Sequence, residues 1–429
     1  MASGLGRRTD RSARATSRDY ANPRRPLGLR IGSALLRPVL PRILPPIEPD
    51  ALLDAAAAAE GRDDDERDVI GARLEVLTDA IRAEARLSVF GTLATAIRLL
   101  GLLRARIRHQ AMLTNHPDIL DVEVVRPIVV TGLQRTGTTL LQRLLAADPR
   151  VRGLRSWEAI APVPPLAGRD TRPRQARVSQ QALRYIAPDF FAVHPVEWDA
   201  PEEDVLLLDQ TLLSTVAEST LRVPSFAAWL RTQDQAPAYA MERELLQSLW
   251  WHEPALEHED RRVARWVLKT PHHLEFLDDL LAEFPDAVVV HTHRDPLTTV
   301  ASFSSMIAHG RGVMSDHIDP YEVGAEWLAT TSRMVRNAMA TRERVGHDRF
   351  VDVDYDDLLA DPVGVVARIL GRAGLATTDA SRAAIAGRRE TSGQHRYGRH
   401  VYALSDFGIT EDDVRDAFGD YRQAFGFAR

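Results

Sequence analysis

The stretch "RPIVVTGLQRTGTTLLQRLLAADP", residues 126–149, changes its period halfway along. Ile128 to Thr131 form a short apolar, β-branched run, which reads as a buried strand. From Thr138 onward the leucines recur at three- and four-residue spacing, as in a helix. Between them "GLQRTGTT", Gly132 to Thr139, is a glycine-containing loop. Strand, glycine loop and helix together aim backbone N–H groups and a helix N-terminus at one anion. Against the triphosphate loop G-x-x-x-x-G-K-[ST] the glycines fall in register, but Thr138 stands in the lysine position. That lysine is the group that reaches the β- and γ-phosphates. The loop therefore suits a nucleotide whose terminal anion is not a γ-phosphate, with Arg135 supplying a cation. The plain alternative is a glycine turn leading into an ordinary helix.

Similar short strands are expected at 263–268, 286–293 and 349–355, each followed by a helical pattern. The helices expected in this half are 274–284, 296–309, 320–345, 356–373, 379–389 and 410–424. Such alternation predicts a parallel sheet covered on both faces. The fold class expected is α/β, a P-loop-like three-layer fold with a central parallel sheet. Residues 1–48 read as a basic, disordered arm and 49–119 as a helical N-terminal extension, with helices across 50–116. Residues 120–429 form the α/β domain, with a helical, proline-rich, strandless insertion at about 153–262. The acidic run "RDDDERD" at 62–68 reads as a solvated turn.

The chain has 429 residues, no cysteine and a formal charge of −6. Without cysteine there are no disulfides, thiolate nucleophiles or cysteine metal sites. The acidic balance gives no basis for nucleic-acid binding. No apolar run approaches the ~18 residues of a membrane span. The basic N-terminus lacks the apolar segment of a cleaved signal, so a cytoplasmic protein is expected. The amphipathic helices of 50–116 have two places to pack, the core or a second copy in a homodimer.

Two further segments carry candidate chemistry. "VVVHTHRDPLTTVASF", 288–303, delivers Arg294 to a strand's carboxyl end, where open α/β sheets bind ligands. Asp295 is placed to cap the next helix, Pro296 suits its first turn, and Ser302 lies about two turns in. His291 and His293 share one strand face, but no third ligand is recognisable, so no metal site is expected. "RWVLKTPHHLEFL", 265–277, contains Lys269, the only lysine in a chain whose lysines and arginines number 54. His272 and His273 follow it closely. "EWDAPEED", 197–204, adds a cluster of acids that includes Glu202 and Glu203.

Together the loop, the lysine–histidine segment, the arginine segment and "VDYDDLLADPVGVVARIL" with the tail "RYGRHVYALSDFGIT" resemble the sulfotransferase family. That family uses 3′-phosphoadenosine 5′-phosphosulfate (PAPS), and the bacterial branch acting on small molecules and carbohydrates is the most similar. The resemblance spans roughly residues 120 to 425. It implies that Gln134, Arg135, Thr136, Gly137, Thr138 and Thr139 hold the 5′-phosphosulfate. Arg294 and Ser302 would hold the 3′-phosphate, Tyr355 would lie near the adenine, and Arg396 and Arg399 would sit in a C-terminal loop closing over the nucleotide. The family's K-T-H places a lysine and a catalytic histidine beside the sulfuryl group. Here the spacing is K-T-P-H-H, so His273 or His272 is the expected base, with Lys269 and Arg135 beside the transferred group. Some branches use a carboxylate instead, which makes Glu202 or Glu203 the reserve.

The implied reaction is in-line transfer to a hydroxyl of a small-molecule, lipid or carbohydrate acceptor, with no metal and the insertion choosing the acceptor. Two departures stand out: Arg135 occupies a position that is lysine in better-known members, and the adenine-stacking tryptophan has no counterpart. The competing readings are a P-loop kinase or NTPase, which needs a loop lysine and a strand-end acid for Mg²⁺, and a nucleotide-binding scaffold without catalysis.

Overall fold

The structure, a computed structural model, describes residues 15–36, 38, 45–165, 169–253, 264–391 and 400–427. Five strands make one sheet: β1 (Ile128–Gly132), β2 (Val151–Gly153), β3 (Arg265–Lys269), β4 (Val288–His293) and β5 (Phe350–Asp354). Their order is β2-β3-β1-β4-β5, and every pairing is parallel. The chain leaves β1 toward one edge and later returns to build the other side. β1 is therefore the point where the topology reverses, and the crevice above its carboxyl end is where such sheets bind ligands.

The sheet is buried on both faces, as a parallel sheet must be. Ile128 and Val130 point to one face, packing with Leu141, Leu144, Val290, Ile369 and Ile385. Val129, Trp266, Leu268 and Val289 point to the other, into the larger core. That larger core also takes in Leu74, Leu99 and Leu103 from the N-terminal helices Arg67–Glu84 and Val89–Asn115.

Four strands fall within two residues of their expected places; β2, only three residues long, is too short for any periodic signal. The described residues of 156–251 carry helices and no strand, with an isolated bridge between Arg155 and Pro201. The expected helix 356–373 is instead two, Tyr355–Ala360 and Pro362–Arg372, because Pro362 lacks the N–H needed to continue and Asp361 caps the second. Likewise 410–424 divides into Glu411–Ala417 and Gly419–Ala424.

Two N-terminal expectations need correction. The acidic run is not merely solvated: Asp64 is buried and takes Arg106 Nε at 3.0 Å, both side chains lying out of water. Nor is the arm disordered throughout. Tyr20 is buried, its hydroxyl bonds Ser305, and Leu27–Leu36 is a helix. An aromatic ring and three arginine anchors outweigh a polar composition there. No helix among the described residues is long and apolar enough to cross a membrane.

Candidate active site

Three strand ends converge. Lys269, last residue of β3, pairs in register with Val130, and Thr292 near the end of β4 pairs with Gly132. The glycine loop therefore rises between Lys269 and Arg294. Gly132 packs so close to β4 that a Cβ would lie 2.2 Å from Thr292 Oγ1 and 2.6 Å from Thr292 O. Gly137 has φ +90°, and a Cβ there would press the Tyr355 ring at 3.0 Å. Both glycines are thus required by geometry. Arg135 also has positive φ, 73°, which turns its peptide groups within the loop.

Arg294 donates from Nη1 to Arg135 O at 3.1 Å, and its guanidinium lies 4.0 Å over the Tyr355 ring. Among the described residues neither Arg135 nor Arg294 is paired with a carboxylate. The Arg135 side chain reaches solvent, yet it is set among protein atoms that lower its pKa, with Arg294 adding to the effect and Tyr402 and Tyr355 opposing it. Two neighbouring cations beside a glycine loop and a helix N-terminus fit a multiply charged anion. This set of donors fits a phosphorylated nucleotide.

Not every expected loop residue offers its donors. Thr136 Oγ1 is held at 2.6 Å by both Leu133 O and Thr292 Oγ1, and its N–H turns back to Leu133 O. The Thr136 hydroxyl and N–H are thus engaged in building the loop. Gln134 Oε1 is buried without a partner, Thr138 is buried at the helix start, and Thr139 is exposed. Asp295 caps helix Pro296–Met314 by accepting from Leu297 N–H at 3.1 Å. Ser302 is buried in that helix and forms no hydrogen bond with Arg294. Arg396 and Arg399 lie outside the described residues.

The lysine–histidine segment sets its two histidines in different surroundings. His273 is fully buried; its Nε2 lies 2.8 Å from Asp204 Oδ2 and its Nδ1 lies 3.0 Å from the Tyr239 hydroxyl. An ionised carboxylate only accepts, so Nε2 carries the proton and Tyr239 donates to Nδ1. Both ring nitrogens of His273 are thus engaged within the core. Burial would raise the pKa of Asp204, but His273, and then Glu242, hold it below the carboxylate range. Asp204 Oδ1 also accepts the Lys269 N–H at 2.6 Å. Glu242 is pushed well above its usual range by burial and by Asp204, so it stays protonated beside that carboxylate.

His272 differs. Its Nδ1 lies 3.3 Å from Thr215 Oγ1, its Nε2 has no partner, and burial followed by His273 pushes its pKa down to about 3. The lone lysine is 1% exposed along its side chain, and its Nζ lies 2.7 Å from Glu203 Oε1. Glu203, 26% exposed, is the one member of this group that meets solvent. Glu202 lends its carbonyl to Gln142 Nε2 at 2.9 Å and so ties the acid cluster to the loop's helix.

His291 and His293 do gain a third neighbour, Asp352, whose ligand atoms lie within 4.8 Å of theirs. Arg342, however, grips Asp352 with both terminal nitrogens at 2.7 and 2.9 Å and approaches His291 at 3.3 Å. A guanidinium already fills the place a cation would take. Nearby, sequence reasoning counted Asp204 only among the acids of 197–204 and missed Tyr402 and Glu218.

Glu218 is buried, and its pKa is pushed up to about 7 by burial first, then by Glu275 and Glu326. Its unfolded value is 4.5, so the stability it contributes is full below that pH and lost as pH rises through about 7. Glu218→Gln should change urea stability little at pH 5 and raise it at pH 8 by roughly 3 kcal/mol. Equal effects at the two pH values would show that the carboxyl titrates normally.

Comparison with known proteins places these observations in company. Residues 127–379, more than half of the chain, match the model of the sulfotransferase family. The sulfotransferase STF1 of Mycobacterium tuberculosis shares 36% identity over 86% of this chain and 98% of its own, with a TM-score of 0.70. STF9 of Mycobacterium avium shares 26% identity over 87% and 96%, with a TM-score of 0.77. A curated relative, the omega-hydroxy-beta-dihydromenaquinone-9 sulfotransferase Stf3 of Mycobacterium tuberculosis, is 28% identical over 265 residues, 58% of this chain. That match spans 63% of the relative's length.

Proposed function

This chain belongs to the sulfotransferase family, and from that membership we propose that it transfers a sulfuryl group from PAPS to a hydroxyl of a small, lipid-like acceptor. The observation that carries the donor assignment is the pair Arg135 and Arg294, brought together from two strand ends and, among the described residues, without a carboxylate partner. Loop N–H groups with Arg135, Thr138 and Thr139 are assigned to the 5′-phosphosulfate. Arg294, with Ser302, is assigned to the 3′-phosphate, the group that separates this donor from ATP. Bound, the donor supplies an activated sulfuryl group with a phosphate leaving group. The kinase reading is weakened by Thr138 in the lysine position.

Acceptor activation is assigned to Glu203. A general base must meet the hydroxyl, and among Glu203, His272 and His273 the glutamate has the access. Lys269 holds it in place and puts a compact positive charge next to where the sulfuryl group passes. His272 is the second reading, supported by its bare Nε2. The lipid-like acceptor rests on the similarity to the menaquinone-derivative enzyme; the helical insertion beside Glu203 is assigned its recognition.

Calorimetric titration with adenosine 3′,5′-bisphosphate, beside ATP and with and without Mg²⁺, tests the donor. Micromolar, Mg²⁺-independent binding of the bisphosphate is expected. Arg294→Ala should weaken it roughly 10- to 100-fold, the worth of one or two charged hydrogen bonds. Tight Mg²⁺-dependent ATP binding with no response to the bisphosphate would overturn the assignment.

A further inference from the structure

Segments from opposite ends of the chain meet on one helix beside the donor site. Tyr20 Oη donates to Ser305 Oγ at 2.9 Å, and His400 Nε2 lies 2.9 Å from the same oxygen. Ser305 is three residues beyond Ser302 in helix Pro296–Met314, which puts the two serines on one face, a turn apart. From this shared anchor the two segments run side by side. Val401 N–H donates to Thr16 Oγ1 at 3.1 Å, and Arg18 grips Asp406 through Nε at 2.8 Å and through a terminal nitrogen. The Tyr20 ring packs 4.9 Å from Phe407, and both side chains are buried. His400 and Tyr402 pack ring to ring at 4.5 Å, and Tyr402 acts electrostatically on Arg135 in the glycine loop.

Resting on the donor assignment above, we propose that Thr16, Arg18 and Tyr20 form a latch that holds residues 400–407 against the 3′-phosphate end of the donor site. The N-terminal arm thereby sets donor affinity and the preference for a 3′-phosphorylated nucleotide. Three hydrogen bonds, one at Thr16 and two from Arg18, and one aromatic contact join the arm to the C-terminal segment, and both bear on the helix that carries Ser302. A latch of this kind acts through the residues it positions and touches no ligand itself. A prop that only stabilised the fold would affect every nucleotide alike.

The test is calorimetry with two probes, adenosine 3′,5′-bisphosphate and adenosine 5′-monophosphate, on the full chain. The variants are Tyr20→Phe, which keeps the ring packed on Phe407, the double variant Arg18→Ala with Tyr20→Phe, and the exchanged pair Arg18→Asp with Asp406→Arg. The double variant should weaken the bisphosphate about tenfold and the monophosphate less than twofold, whereas the exchanged pair should retain most of the wild-type preference. Wild-type bisphosphate affinity in the double variant, or equal weakening of both probes, would overturn the latch alone. A wild-type chain that binds no bisphosphate would bring down the donor assignment, and the latch with it.

Discussion

Glu203→Gln should lower kcat about 10²- to 10⁴-fold, the range a positioned general base contributes, while bisphosphate affinity stays within a few-fold of wild type. Glutamine keeps the volume of the side chain, and its amide oxygen can still accept from Lys269 Nζ, now 2.7 Å from the carboxylate. What it loses is the capacity to take a proton. His272→Gln is the matching control, because it removes the unpartnered ring nitrogen near the same strand end. A large loss in His272→Gln together with a near-normal Glu203→Gln would hand the role to the histidine. Single-turnover sulfation of a hydroxylated acceptor, with donor affinity measured separately, keeps chemistry apart from binding.

Asp204→Ala should be the most destabilising single change at the site, by about 3–5 kcal/mol, the cost of removing one partner from a buried charge network. The carboxylate is wholly buried and accepts two hydrogen bonds, from Lys269 N–H at 2.6 Å and from His273 Nε2 at 2.8 Å. Alanine would leave both donors unsatisfied and Glu242 without its neighbour. Asparagine is the informative companion: its oxygen can serve Lys269 N–H while its amide faces a His273 tautomer protonated at Nδ1, so much of the stability should survive. Because the Asp204 pKa is held below the unfolded value of 3.8, its contribution is present above that pH and lost as the solution is acidified past it. Urea midpoints at neutral pH that match wild type in Asp204→Ala would show that the network is idle.

The parts of the fold that repeat were readable beforehand. Short, continuous apolar runs locate β1, β3, β4 and β5, as a sheet covered on both faces demands, and a period near 3.6 locates their helices. Strand β2 was not readable: three residues carry no period, and its place at the sheet edge depends on Arg265 and its neighbours in β3. The glycine loop and Arg294 could be found because glycines at fixed spacing and an arginine after a strand are local features. The choice among bases was not local. His273 and His272 are adjacent in sequence, yet one is clasped by Asp204 and Tyr239, 69 and 34 residues away, and the other keeps a bare nitrogen. Thr136 shows the same limit, since only the approach of Thr292 reveals that its hydroxyl is spent.

The scarcity of lysine has a practical side. Lys269 bears the one side-chain amine of the whole sequence, and it is enclosed under Glu203. Amine-directed acylation, which decorates the outside of most proteins, has no side-chain target on this one until the crevice around Glu203 loosens. The enzyme thus carries its own reporter: the rate at which Lys269 is labelled measures how often the site breathes.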